Sequence, residues 1–219
     1  LKLLYALAPR LNSGFVSLFL PHYVASYGLA DFKRSMAALK YFTTFGSAEF
    51  AIRHFLLQDL PRTLAVMQQW SLDDNDHVRR LASEGSRPRL PWSFRLADVQ
   101  ANPALCASIL DNLKADPSLY VRKSVANHLN DVTKDHPEWV LGLIEGWNLD
   151  NPHTAWIARH ALRSLIKQGN TRALTIMGAG AKAEVKLHHL SVTPAVIRLG
   201  ERINLSFSLE STAVTAQKL

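Results

Sequence analysis

Three stretches decide how this chain is read: His77-Val78-Arg79-Arg80-Leu81-Ala82, Tyr120-Val121-Arg122-Lys123-Ser124-Val125-Ala126 and Trp156-Ile157-Ala158-Arg159-His160-Ala161-Leu162. They repeat one pattern, with Val78 and Val121 separated by 43 positions and Val121 and Ile157 by 36. A period of this size marks stacked two-helix units, each too small to bury its apolar face alone and completed by its neighbour. Upstream, Glu49-Phe50-Ala51-Ile52-Arg53 carries the same apolar-arginine signature at shorter spacing.

Outward from these stretches, apolar residues recur at helical spacing from Asp31 to about Gly169. The pattern predicts helices at 31–43, 47–58, 61–71, 75–85, 102–115, 117–131, 137–147 and 153–168. The repeat lengths lie in or just below the ~40–47 residues of HEAT-type helix pairs. Pro61, Pro103, Pro117 and Pro137 are expected in first turns, where a missing N–H costs nothing. Asn102 and Asp116 precede two of them as N-caps. Trp139, Val140, Leu143, Ile144 and Trp147 form a stripe expected to be core between repeats. The fold expected for residues 1–180 is therefore an all-α, HEAT-like repeat solenoid. Past Gly169 the texture changes. Gly178-Ala179-Gly180-Ala181 reads as a linker, and Val185 to Val192 and Arg202 to Leu209 alternate like strands, with Ile203, Leu205, Phe207 and Leu209 on one face. Two strands do not make a sandwich, so 184–219 is expected to begin a β-sandwich domain; a hairpin or tail packed on the last helices is the alternative.

Composition narrows the function. Of 219 residues 47% are apolar and 20% charged, which excludes a disordered or collagen-like chain. No apolar run approaches the ~20 residues that cross a bilayer, and the apolar part of the run from Lys2 to Ala8 is too short for a signal peptide. Cys106 is the sole cysteine, which excludes an internal disulfide framework and a cysteine-based zinc site. The nine histidines are scattered without a helical i, i+4 pair, and His188-His189 would point to opposite faces of a strand, so no metal is expected. No nucleotide-binding glycine loop, zinc-protease helix or nucleophile elbow is present, and no cofactor is expected. Lys and Arg number 25 against 18 Asp and Glu, a net charge of +7 that favours a polyanionic partner.

The second helices of stacked pairs line the concave side, where Arg79, Arg80, Arg122, Lys123, Arg159 and Arg163 would follow a phosphate backbone with steep salt dependence. For Arg79 and Arg122 a structural pairing with an Asp of the neighbouring repeat competes with that role. Between the repeats, Gly85-Ser86-Arg87-Pro88-Arg89-Leu90-Pro91-Trp92-Ser93-Phe94-Arg95-Leu96 is longer than a connector requires, stiffened by proline and free of acid. Arg87 and Arg89 there, with Arg80, are expected at the ligand. Trp92 either plugs a gap or offers an aromatic plane to a cationic or stacked group. Three acids stand in this basic surface: Glu49 at a helix start, Glu84 and Asp131 at helix ends. A carboxylate in a phosphate groove weakens binding, and at a helix C-terminus it also opposes the dipole; their co-occurrence points to another purpose.

These runs, together with Ser83-Glu84-Gly85, Ala126-Asn127-His128-Leu129-Asn130-Asp131, Lys134-Asp135-His136-Pro137 and Arg159-His160-Ala161-Leu162-Arg163, resemble the AlkC-type alkylpurine DNA glycosylases from about Tyr23 to Gly178. The resemblance implies a bacterial, cytoplasmic, nucleoid-associated protein: a HEAT-like solenoid followed by an immunoglobulin-like domain, with more helix before Leu1 and a complete sandwich after Leu219. It implies a monofunctional glycosylase that excises cationic N3-alkylated bases, 3-methyladenine and 3-methylcytosine, from double-stranded DNA. Glu49, Glu84 and Asp131 are then the catalytic carboxylates, and Trp92 and Arg80 bind the lesion. Arg87, Arg89, Arg122, Lys123, Arg159 and Arg163 hold the DNA backbone. A monomer is expected. The chemistry is coherent, because an N3-alkylated base departs as a neutral molecule and needs no general acid. Stabilising oxocarbenium character and placing a water suits carboxylates. The alternatives are a non-catalytic HEAT scaffold for nucleic acid or an acidic protein, and a lesion sensor that does not cut.

Overall fold

The computed structural model describes residues 1–11, 14–179 and 184–214, and the chain divides into two compact units, Leu1–Gly169 and Asn170–Leu219. The division falls before the boundary expected near residue 180, because a short helix joins the strands of the second unit. Part of the expected linker, residues 180–181, lies outside the described residues.

The first unit is helical. In chain order it runs α1 (Lys2–Leu7), α2 (Phe19–Tyr27), α3 (Phe32–Phe42), α4 (Glu49–Gln58), α5 (Leu60–Trp70), α6 (Asp76–Gly85), α7 (Ala97–Ala101), α8 (Ala107–Leu113), α9 (Leu119–Val132), α10 (Pro137–Glu145), α11 (Pro152–Ala161) and α12 (Arg163–Lys167). The sequence pattern predicts neither α1 nor α2. Helix starts follow local chemistry: the side chains of Asp31, Asp59, Asn75 and Asn151 each accept a first-turn N–H. The expected helix 117–131 begins two residues late, at Leu119, and Asp116 is no N-cap. Its carboxylate accepts the Ser118 N–H at 2.8 Å and pairs with Arg79 of α6 at 2.6 Å, so cross-repeat charge pairing outcompetes local capping. The expected helix 102–115 is split into a 3₁₀ turn, Pro103–Cys106, and α8, and 153–168 breaks at Leu162.

Packing obeys the repeat. Helix α6 lies on α4 and α9, and α9 on α11, so the second helices of successive pairs stack through Ile52, Leu81, Val121, Val125, Leu129 and Ile157, all fully buried. Val140, Ile144 and Trp147 of the tryptophan stripe are buried, and Trp147 satisfies its indole N–H on Asp111 at 3.0 Å; Trp139 and Leu143 are half-buried. At the end of α6 a Cβ on Gly85 would stand 2.4 Å from Cγ2 of Ile52, so only glycine lets this helix end press against α4 and release the arginine-rich loop there.

His128 of α9 is fully buried; Nδ1 lies 3.0 Å from the Ser83 carbonyl, which can only accept, and Nε2 has no partner. Burial pushes its pKa down to about 4. The unfolded chain takes up this proton below about 6.5, whereas the folded one resists until about 4. Stability is therefore lost as pH falls through that window, by up to about 3 kcal/mol from this group. Urea unfolding at pH 7 and pH 4.5 should show that loss in the wild type and a smaller one in His128→Gln.

The second unit holds α13 (Thr171–Ile176), β1 (Val185–Thr193) and β2 (Asn204–Ser211). The strands pair antiparallel, Val185 opposite Ser211 and Thr193 opposite Asn204, with an irregularity between His188 and Ser191. Leu205, Phe207 and Leu209 alternate along β2 as expected but stay about half exposed, as does Ile203 just before it. The described residues thus give a two-stranded ribbon and not a sandwich. The simple alternation expected at His188-His189 fails too: His189 adopts φ +53° and the two rings lie 6.2 Å apart, with Nε2 of His188 2.9 Å from Glu210.

Candidate active site

Glu49 is the first residue of α4, where the helix dipole favours a negative charge. Glu84 lies one residue from the end of α6, and Asp131 one from the end of α9. All three are buried, at 8%, 6% and 5% exposure, and two arginines string them together. Arg80 reaches Oε2 of Glu49 at 3.1 Å and Oε1 of Glu84 at 3.6 Å, and donates to the Ser47 hydroxyl at 2.7 Å. Arg87 grips Oε1 of Glu84 at 2.7 Å and Oδ2 of Asp131 at 2.9 and 2.8 Å from Nε and Nη2. Ser124 donates to the other Glu84 oxygen at 2.6 Å, and Lys134 lies 3.6 Å from Asp131. The result is a chain Glu49–Arg80–Glu84–Arg87–Asp131 that holds three carboxylates in water-poor surroundings.

Burial and charge shift the carboxyls of Glu84 and Asp131 in opposite directions. For Glu84, burial is opposed by Arg80, Arg87 and the Ser124 hydroxyl, and the carboxyl is held below its ordinary range. For Asp131, burial outweighs the attraction of Arg87 and Lys134, and the carboxyl is pushed up. Glu84 is thus a fixed negative charge, and Asp131 is the better proton acceptor.

A cavity of about 680 Å³ opens beside this chain. Glu49, Glu84 and Arg87 contribute to its wall, and Phe45, Phe50, His77, Tyr120 and Trp92 make it aromatic. Asp131 and Arg80 are not among its lining residues; Asp131 joins the cluster through Arg87 and Arg80 through Glu49 and Glu84. Trp92 is 97% exposed, so it plugs no gap, and its φ of +63° is a strained conformation for an aromatic residue. A backbone held off its minimum to present a bare indole beside carboxylates is the pattern of a ligand contact.

The loop bearing Trp92 is templated from inside by Arg53, which is fully buried. Its guanidinium donates to the carbonyls of Gly85 at 3.1 Å, Arg87 at 2.6 Å and Phe94, and lies over the Phe94 ring. Desolvation, with Arg87 adding repulsion, pushes its pKa down to about 10.

Several residues expected on the DNA backbone are already engaged. Arg87 is buried between Glu84 and Asp131. Arg89 forms a bidentate pair with Asp135 at 2.7 and 3.0 Å. Arg122 donates to the carbonyls of Asp116 and Pro117 and lies over the Trp156 ring. Arg80, expected on the lesion, is spent on Glu49 and Ser47. Arg79 takes the structural role that competes for it, clamping Asp116. Among the described residues, Lys123 and Arg159 are exposed without an ion pair, and Arg163 donates to Asn127 and the His160 carbonyl. Sequence reasoning missed Arg53, Ser47, Ser124, Tyr120 and His77 as parts of the site. The signal for Arg53 was its place in the Glu-Phe-Ala-Ile-Arg run; Ser124 is a small hydroxyl residue with no signature. Among the described residues no group of three His, Cys, Asp or Glu side chains is placed to hold a metal ion, and no helix is long and apolar enough to cross a membrane.

Comparison with known proteins agrees with this geometry. The chain is 90% identical to a Pseudomonas fluorescens alkylpurine DNA glycosylase, AlkC, whose structure was solved bound to DNA containing an abasic site analog; the match covers 97% of this chain and 59% of that one, with a TM-score of 0.93. It is 43% identical to the uncharacterized protein YhaZ of Bacillus subtilis (strain 168) over 96% of its own length and 59% of the relative's. A Streptococcus mutans UA159 protein, smu.31, at 24% identity and a TM-score of 0.55 over 73% of this chain and 82% of that one, shares the fold. The chain thus spans 59% of the length of the two nearer relatives. Residues 32–165, which contain Glu49, Glu84, Trp92 and Asp131, match the family model of the DNA alkylation repair enzymes, and the chain belongs to that family.

Proposed function

We propose that this chain carries the working face of a monofunctional DNA glycosylase that hydrolyses the N-glycosidic bond of cationic N3-alkylated bases, 3-methyladenine and 3-methylcytosine, in double-stranded DNA. The observation that carries the reading is the buried chain of three carboxylates beside an aromatic-walled cavity in an otherwise basic protein. The solved relative's complex with abasic-site DNA agrees with it.

The alkylated base is a cation. When its bond to C1′ breaks, the electron pair flows into the ring and the base leaves neutral, so no acid is called for. Positive charge then develops on the sugar, and preorganised carboxylates in a poorly hydrated site stabilise it. Water supplies the new C1′–O bond and loses a proton, for which Asp131 is the suited acceptor. Glu84 supplies fixed negative charge with Glu49 beside it in the cavity wall, and Trp92 offers its π face to the cationic base. Arg80 and Arg87 orient the acids and bound their repulsion. The two strands of the second unit begin an immunoglobulin-like sandwich, and the protein acts at the nucleoid as a monomer without a cofactor.

Incubation with methylated DNA followed by chromatography of the freed bases tests the reading: 3-methyladenine should appear with the wild type and be depleted in Glu84→Gln. DNA binding without any freed base would leave a scaffold or lesion sensor. Trp92→Ala should leave the melting temperature unchanged, since the side chain removed is exposed and alanine keeps the same backbone conformation. It should slow release by up to about 30-fold, the equivalent of a desolvated cation–π contact of about 2 kcal/mol. A lowered melting temperature with unchanged release would assign Trp92 to structure.

A further inference from the structure

Two of the scattered histidines meet at a second cavity. It encloses about 380 Å³ between α2 and α4, which pack on each other. Leu18, Ser47 and Phe50 line both this cavity and the one of about 680 Å³, so the two spaces adjoin. Each helix contributes a phenyl and an imidazole about one turn apart: Phe19 and His22 on α2, Phe50 and His54 on α4. Ala25 and Ala51, buried where larger side chains would close the gap, leave room between them. An edge-to-face contact with Phe94, centroids 5.4 Å apart, fixes the His54 ring. Ser47 accepts from Arg80 at 2.7 Å, which leaves its own O–H to donate.

The two cavities differ in charge. Glu49, Glu84 and Arg87 line the larger one, whereas the walls of the smaller one carry no Asp, Glu, Lys or Arg among the described residues. Cleavage of the glycosidic bond makes the same change in the base, which enters as a cation and leaves neutral. Once neutral, the base loses its attraction to the carboxylates and to the Trp92 face but keeps its stacking area and its hydrogen-bonding edges. We propose that the cavity between α2 and α4 binds the freed neutral base. The flat heteroaromatic ring lies between the Phe19–His22 and Phe50–His54 pairs, and Ser47 and the imidazoles meet its ring nitrogens and amino group. The proposal rests on the glycosylase reading above and extends it to the fate of the product.

The consequence is a form of product inhibition that substrate does not relieve. The freed base rests outside the wall of carboxylates, beyond Phe50 and Ser47, so it does not compete with a lesion for the catalytic cavity. An occupied second cavity denies the next base its exit. Accumulated free base therefore slows steady-state turnover, and excess methylated DNA does not restore it.

The test is equilibrium dialysis of the full chain, without DNA, against free 3-methyladenine. The wild type should bind it. The double variant Phe19→Ala/His22→Ala, with folding checked by thermal melting, should bind about tenfold more weakly, as for the loss of two ring contacts. His22→Ala alone, at an exposed side chain, should show a smaller loss in the same direction. Glu84→Gln and Trp92→Ala, which alter only the larger cavity, should bind the free base within about twofold of the wild type. Single-turnover base release by the double variant should match the wild type, and its steady-state turnover should need about tenfold more added 3-methyladenine to be inhibited. The proposal is overturned if the wild type does not bind the free base or if the double variant binds it as tightly. It is also overturned if Trp92→Ala or Glu84→Gln weakens binding more than the double variant does, which would put the base in the catalytic cavity. Base release from methylated DNA, assayed in parallel, separates the two readings. Release without binding of the free base keeps the glycosylase and removes the product site; binding lost in the double variant, with no base released by the wild type, keeps the nucleobase site and removes the glycosylase.

Discussion

Asp131→Asn should lower release of 3-methyladenine by about 10²- to 10³-fold, the scale of removing one preorganised electrostatic group from an active site, while affinity for abasic-site DNA stays within about threefold of the wild type. The substitution keeps the shape and the hydrogen-bonding carbonyl but removes the charge and the proton acceptor. Arg87 keeps its 2.7 Å bond to Glu84, so the chain of ion pairs is shortened without being dismantled. The wild-type rate should also have an acid limb. Burial raises the Asp131 pKa above the ordinary carboxylate value, and release should fall off as pH drops through that raised value, with the limb absent from the residual activity of Asp131→Asn. Single-turnover release across pH 4–8, beside anisotropy on the same samples, checks both parts. Unchanged release by the variant would take Asp131 out of the mechanism. Parallel loss of release and affinity would make it a structural residue.

Arg53→Met should be the most destabilising single change in the site. The methionine fills part of the volume but leaves the carbonyls of Gly85, Arg87 and Phe94 without their donor in a buried place. Stranding such groups costs about 3–5 kcal/mol in total, or a fall of roughly 10 °C or more in Tm for a chain of this size. Arg53→Lys keeps the charge but cannot donate to three carbonyls in fixed directions, so it should fall between the two. The loop it organises carries both Arg87 and Trp92. In the fraction that remains folded at low temperature, release should therefore fall further than DNA affinity. Thermal melting with release assays at 10 °C distinguishes this from a simple loss of folded protein: stability lost with release per folded molecule intact would confine Arg53 to the fold.

Two of the acids also differ in what surrounds them, a difference their neighbours in sequence do not reveal. Glu84 and Asp131 are both carboxylates at helix ends, facing the same Arg87, yet the Ser124 hydroxyl and a second arginine tip only Glu84 toward permanent ionisation.

By itself the sequence determined the helical repeat and picked out the candidate site residues. Helical periodicity and a recurring apolar-basic motif are local properties, and the burial of Ile52, Leu81, Val121 and Ile157 follows once each unit must cover its neighbour. Glu49, Glu84, Trp92 and Asp131 were legible because an acid in a basic groove, or a tryptophan between proline and serine, violates local expectation. Only the tertiary structure decided which charges are spent. Arg80, Arg87 and Arg89 read as cations free for a ligand, but Glu84 lies three or four residues from Arg87 and Arg80, and the remaining partners, Glu49, Asp131 and Asp135, lie 31 to 46 residues away and meet them only when the repeats stack. Among the described residues the same stacking leaves Lys123, His160 and Arg163 without an ion-pair acid, and it seals Arg53 beneath the loop it shapes. Charge compensation over such separations is a property of the assembled repeats, since electrostatic pairing depends on distance in space and on burial, and neither is written in the order of residues.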